Sequence, residues 1–258
     1  MFSLFQRLRS LRHRFWYGVS ERVRWSRGTF RETPARELPA LPVEQSRRIA
    51  ALRDRYQARF ESALATQTSL NNYEYLDILD HAWPGTARVR PQGTLCDVGC
   101  ASFWYAAALA AFFQPRELVG VEVEGYRLYR DGRTRSDYAA GYVSQLPNAR
   151  FIVADYLHYA EPADLITAWF PFLTPRAILA WRLPLSLLRP EQLIRRIRLN
   201  LKPEGCFVMV NHGAEEAQAA TKLCIAAGLQ LDWVQSTPSV LSRRRPLAPV
   251  VSAWHRRD

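Results

Sequence analysis

The sequence predicts an α/β fold: a mostly parallel sheet with helices on both faces and an antiparallel ending, preceded by a basic helical extension. Three observations carry this. From Gly93 onward, short apolar runs alternate with helix patterns. The runs are mostly unalternating, as strands buried on both faces are. The last two runs have no helix pattern between them, so a hairpin-like antiparallel finish is the simplest connection. Composition agrees: 258 residues, 48% hydrophobic and 23% charged, exclude wholesale disorder, collagen-like repeats and a disulfide scaffold.

The elements follow in order. Leu4, Leu8, Leu11, Phe15 and Val19 recur at helical spacing, with Arg7, Arg9, His13 and Arg14 largely elsewhere on the wheel and Arg12 intruding on the apolar arc. Such a helix either lies on an anionic membrane surface or docks its stripe on the domain, and both readings stay open. Pro34, Pro39 and Pro42 mark a linker, so a boundary falls near residue 43. Two helical stripes come next, Ile49 to Ala63 and Leu70 to Leu79, read as lid or flanking helices. The expected organisation is thus extension and linker at 1–43, helical flanking segment at 44–92 and α/β domain at 93–258.

Strands are expected at Thr94 to Val98, Leu118 to Val123, Arg150 to Ala154, Leu165 to Trp169, Cys206 to Asn211, Leu231 to Gln235 and Val250 to Trp254. Ser102 is placed to cap a helix over Phe103 to Phe113, Pro190 suits a first helical position, Gly205 reads as a stop after Leu199 to Glu204, and Ala214 to Ala227 ends at Gly228.

Charge and cysteine usage narrow the classes. Thirty-five basic against 24 acidic residues give +11, and only Lys202 and Lys222 are lysines. Residues 1–36 hold nine arginines against Glu21 and Glu32, so +7 belongs to the extension and +4 to the other 222 residues. An anionic partner is favoured, more for the extension than for the cleft. Cys96, Cys100, Cys206 and Cys224 lie in apolar stretches and lack the paired Cys/His partners of a zinc site, so reduced core thiols in a cytoplasmic protein, and no metal, are expected. No apolar run is long enough to span a bilayer or to form a secretory signal, although an arginine-rich, acid-poor start also suits an organellar transit segment.

In open α/β sheets ligands bind beyond the carboxyl ends of the strands. Here three successive strands end at or near acids: Asp97-Val98-Gly99, Gly120-Val121-Glu122 and Ala154-Asp155. Glu122 follows Asp97 by 25 residues, close to the separation at which an acid accepts from a ribose diol. Asp155 is placed to accept from an exocyclic amine, Asp97 to face an ammonium or sulfonium, and Gly99 to admit a ligand against the backbone. Each acid taken singly also reads as a helix cap or a solvated turn residue.

The segments Leu95 to Cys100, Leu118 to Glu122, Phe151 to Asp155 and Leu199 to Met209, with the turn Leu201-Lys202-Pro203-Glu204-Gly205, resemble the motifs of class I S-adenosylmethionine-dependent methyltransferases across about residues 70–256. The resemblance implies a Rossmann-like seven-stranded sheet with an antiparallel last strand, S-adenosylmethionine as cofactor, its aminoacyl part near Asp97 and Gly99, its ribose on Glu122 and its adenine beside Asp155 and Tyr156. Cys100 and Ala101 complete the first loop, where family members carry more glycine. A dinucleotide-binding oxidoreductase fits worse, because only Gly99 of the required glycines is present.

Methyl transfer rests largely on positioning and water exclusion, so a catalytic side chain is not obligatory. His158 and His212, near strand ends, are candidate general bases or plain surface residues. Trp169 and Phe170, in the loop where the family contacts the acceptor, either line an acceptor site or pack the core. Tyr73 and Tyr75 either close over the cofactor or pack their helix on the domain. The reading is a methyltransferase for a small or membrane-associated acceptor, with a degenerate fold serving as a scaffold as the alternative. Peripheral membrane contact is expected through residues 1–36. Arg127, Arg130, Arg133, Arg135 and Arg243 to Arg245 leave RNA or DNA as a minority reading.

Overall fold

The computed structural model describes residues 2–83, 93–242 and 246–256; Arg243 to Arg245 lie outside them. The chain opens with α1 (Leu4–Val23), α2 (Val43–Tyr56) and α3 (Thr66–Ala82). It then alternates: β1 (Thr94–Val98), α4 (Ala106–Phe113), β2 (Glu117–Glu122), α5 (Arg135–Val143), β3 (Ala149–Val153), β4 (Ala163–Trp169), α6 (Pro175–Ala180), α7 (Pro190–Asn200), β5 (Leu201–Asn211), α8 (Gly213–Ala226), β6 (Leu229–Ser236) and β7 (Val250–Arg256). All seven expected strands are present.

Among the described residues the strands form one sheet in the order β3-β2-β1-β4-β5-β7-β6. β1 pairs in parallel with β2 and β4, β3 with β2, and β5 with β4; β7 runs antiparallel to both neighbours. Strand order therefore reverses between β1 and β4, the switch point where a crevice opens. Alternate residues of each strand face opposite layers. Leu95, Leu118, Leu165 and Val208 meet α2, α3 and α4, while Cys96, Val119, Ile166 and Phe207 meet Ile194 and Ile197 of α7 and Cys224 of α8. The four cysteines are free and buried.

Three local expectations are corrected. α4 starts at Ala106 with no side-chain cap from Ser102, because Ala101 and Phe103 take φ of 52° and 55° and hold residues 99–105 out of helical conformation. Gly205 does not stop a helix: α7 ends at Asn200, and residues 201–205 already belong to β5, at an irregular register against β4 with Glu204 at φ 63°. α5 and α6 were not anticipated, although both carry start signals. Thr134 and Asp137 form a reciprocal capping box, and Thr174 caps a helix with Pro175 at its start.

α1 docks on the domain, but not by its apolar stripe. Ser10 accepts from the Leu185 amide at 2.9 Å and His13 is buried, whereas Leu4, Leu8, Leu11 and Phe15 point outward. The following segment is latched to α5: Phe30 N–H donates to the Asp137 carbonyl at 2.8 Å and Arg27 N–H to its carboxylate at 3.0 Å. Among the described residues no helix is long and apolar enough to cross a membrane.

Candidate functional site

A cavity of about 340 Å³ opens beyond the carboxyl ends of the central strands, at the β1/β4 switch point. That lies within the range of about 300–1,000 Å³ usual for small-molecule sites. Its wall comes from five connections: Val98, Gly99 and Ala101 at the end of β1, Glu122 and Val123 at the end of β2, Ala154 to Leu157 after β3, Trp169 to Phe172 after β4, and His212 after β5. The stretch between β4 and α7 adds an apolar side with Ile178, Trp181, Leu183 and Leu187.

The β1 loop is shaped by two glycines. Gly99 takes φ 72° and has open space where a Cβ would stand, so the cavity reaches its backbone. Opposite, a Cβ on Gly120 would lie 2.6 Å from a ring carbon of Phe103 and 2.8 Å from Cys100 Sγ. The loop that lacks extra glycines is thus accommodated by a glycine on the neighbouring strand, which makes room for Phe103. Cys100 is consequently buried under the loop and does not line the cavity, correcting its expected ligand role.

Asp97 is also corrected. It stands opposite Thr167 in the β1/β4 register, so both side chains share one face of the sheet, and it accepts from Thr167 Oγ1 and from the Tyr105 hydroxyl, each at 2.5 Å. Fully buried, it does not line the cavity; Tyr105 stands in the wall. Burial pushes its carboxyl up to about 7, against the lowering effect of its two hydroxyl donors, with nearby Glu122 adding to the rise.

Glu122 does line the cavity, and it is already engaged. Its Oε2 accepts from the Ala101 amide at 2.8 Å, which fixes the loop; its Oε1 accepts from the Glu124 amide at 2.9 Å and from Arg135 Nη1 at 3.0 Å. A carboxylate has about four lone-pair sites, so one acceptor position remains for a ligand hydroxyl. Arg135, read from sequence as a surface phosphate contact, is 3% exposed, bridges Glu122 and Glu124, and lies 5.4 Å from the centre of the Trp181 ring. Asp155 caps the turn at residues 156–158 through the Leu157 amide, at 3.0 Å, and pairs with Arg189 at 2.9 Å; it and buried Tyr156 both line the cavity.

The aromatic expectations divide. Trp169 and Phe170 are in the wall; Trp169 stacks on Tyr75 with ring centres 4.2 Å apart, and Phe170 stacks on His212 at 4.1 Å. The Nε1 of Trp169 is fully buried and has no hydrogen-bond partner among the described residues. Tyr73 is elsewhere: its hydroxyl is tied to Arg53 and Glu61 in the helical layer, so it does not contact a ligand here. Tyr75 takes the position expected of the pair. His158 is 79% exposed and outside the wall, because the short turn that Asp155 caps turns it to solvent; its role as a base is withdrawn. His212 remains in the wall.

Sequence reasoning missed Trp104, Tyr105, Trp181, Arg135 and Arg189 as lining residues. The Thr134 to Asp137 capping box was the available signal for Arg135, since it fixes a helix start just beyond the end of β2.

No protein-family model matches the chain, and no curated protein matches it. Solved structures do resemble it. The N-methyltransferase NodS from Bradyrhizobium japonicum, in complex with S-adenosyl-L-homocysteine, aligns at TM-score 0.50 and 12% identity over 73% of this chain and 86% of its own. A SAM-dependent methyltransferase from Aquifex aeolicus aligns at TM-score 0.49 and 14% identity, over 65% of this chain and 84% of its own. Fibrillarin from Aeropyrum pernix, with natively bound S-adenosyl-L-methionine, aligns at 0.49 and 17%, over 72% and 76%. The chain has the Rossmann-like fold of NodS.

Proposed function

We propose that the protein is an S-adenosylmethionine-dependent methyltransferase acting on a small apolar or membrane-associated acceptor. One observation carries the reading: the cavity sits at the β1/β4 switch point, floored by an open Gly99 and bordered by Glu122, with an aromatic wall opposite. The residues present suit the cofactor. Gly99 admits it to the backbone, and Glu122 keeps an acceptor position. When bound, the cofactor supplies an electrophilic methyl group on a sulfonium.

The chain's own part is to place and to exclude. Tyr75, Trp104, Tyr105 and Trp169 form a rigid aromatic wall, each ring packed on another. Rings packed this closely leave little room for water, and an aromatic surround suits a cationic centre. Phe172, Ile178, Leu183 and Leu187 make the far side apolar, which favours an acceptor with an aliphatic or planar body. His212 is placed to take a proton from an acceptor that must lose one.

The pairing of Glu122 with Arg135 and of Asp155 with Arg189 favours a second reading, a related fold retained as a binding module. Calorimetric titration separates the two. Saturable binding of S-adenosylmethionine and S-adenosylhomocysteine, without binding of NADH or NADPH, is the expected result. Absence of heat with either sulfur ligand overturns the methyltransferase reading.

A further inference from the structure

We propose that α1 seats the protein on an anionic lipid surface. The helix docks on the domain by its polar side, and no acid lies in its first turn. Ser10 and buried His13 face inward, as does Glu21, whose Oε1 is buried without a hydrogen-bond partner among the described residues. The opposite side is apolar and uncovered: Leu4, Phe5, Leu8, Leu11, Phe15 and Trp16 are each between 56% and 81% exposed. An amphipathic helix in a globular protein turns its apolar stripe to the core; this one turns it to the outside, and a contiguous exposed apolar stripe marks an interaction surface.

The charges identify the partner. On the helical wheel Arg7 and Arg14 run along one margin of the stripe and Arg9 along the other, with Arg12 and Arg22 inside it, all exposed. Glu21 is the one acid of the helix and lies on the docked side. A second copy of this face would oppose arginine to arginine, which disfavours self-association. An anionic headgroup layer accepts those cations while the acyl boundary takes up the Leu and Phe side chains, with the arginine stems lying along the apolar surface. Trp16, 63% exposed beside Phe15, is the side chain that settles at such an interface.

The seat is not remote from the cavity. α1 packs on α6 and on the turn Leu185–Leu187, and Ile178 and Leu187 of those elements line the cavity's apolar side. Lipid docking therefore holds that wall beside the membrane. The docking itself does not depend on what the cavity binds.

The test is co-sedimentation of the full chain with vesicles of phosphatidylcholine containing phosphatidylglycerol and with phosphatidylcholine alone, with analytical ultracentrifugation of the free protein alongside. The wild type is expected to sediment with the anionic vesicles, less so as salt rises, and to be retained poorly by the neutral ones. Leu8→Glu with Phe15→Glu, at exposed positions that leave the docked side intact, is expected to lower partitioning about a hundredfold. Arg7→Gln and Arg14→Gln are expected to lower it about fivefold each. Thermal unfolding of each variant at the wild-type temperature shows that the fold is kept. Absence of wild-type binding, or binding unchanged in the Leu8/Phe15 variant, overturns the proposal. So does a dimer that dissociates in that variant, because the stripe would then be covered by a second copy.

Discussion

Replacing Asp97 with asparagine is expected to change the pH dependence of stability in one defined window. In the folded chain the Asp97 carboxyl is displaced from 3.8 to about 7 by complete burial. Between those values the unfolded chain has released this proton and the folded chain keeps it, so the unfolded state binds fewer protons and stability falls as pH rises. The contribution is fully present below 3.8, declines through the window and is flat above about 7. At 1.36 kcal/mol per tenfold change in proton affinity, the whole decline is about 4 kcal/mol. The asparagine side chain keeps an oxygen to accept from Thr167 or Tyr105 and carries no titrating proton. The assay is urea unfolding of wild type and Asp97→Asn at a series of pH values across the window, taken as the difference between the two so that other groups cancel. The variant is expected to gain on the wild type as pH rises. A flat difference refutes the reasoning, and a variant that loses ground as pH rises shows instead an ionised carboxylate stabilised by its two hydroxyl donors.

Three further outcomes are expected. Gly120→Ala drives a methyl group to 2.6 Å from Phe103 and should destabilise the chain by about 1–3 kcal/mol, with weaker ligand binding because the 99–103 loop shifts; chemical denaturation and calorimetry read both. Arg135→Met leaves Glu122 without its cation and Glu124 with Arg127 alone, a loss of about 3–5 kcal/mol measured by chemical denaturation near neutrality. Trp169→Phe preserves the stack on Tyr75 and removes a buried N–H that has no partner among the described residues. Its thermal stability should equal or exceed that of the wild type, as thermal unfolding would show.

The positions of the strands along the chain were legible because buried strands write themselves as short apolar runs, and the hairpin β6–β7 because no helix pattern interrupts it. The location of the cleft was legible too: Glu122 and Asp155 border it. What each acid binds was not. Asp97 turns to Thr167 through a register fixed 70 residues away, and Glu122 and Asp155 meet arginines from α5 and from the stretch before α7, none of which leaves a periodic trace. Local spacing separates Tyr75 from Tyr73 only once the rotation of α3 against the sheet is known. α1 is the clearest case. Its wheel defines a stripe, but the inward side was decided by what the domain presents: the Leu185 amide and the Leu179 carbonyl, to which Ser10 and Arg9 hydrogen-bond, so the polar side docks.

On the proposed function, the cavity between the β1 and β4 loops holds S-adenosylmethionine. Direct ultraviolet cross-linking of methyl-labelled S-adenosylmethionine, followed by peptide mapping, tests it most closely. The label should map to the peptides containing Gly99 to Tyr105 and Asp155 to Leu157, and an excess of S-adenosylhomocysteine should abolish it. Label confined to other segments, or insensitive to that competitor, contradicts the account.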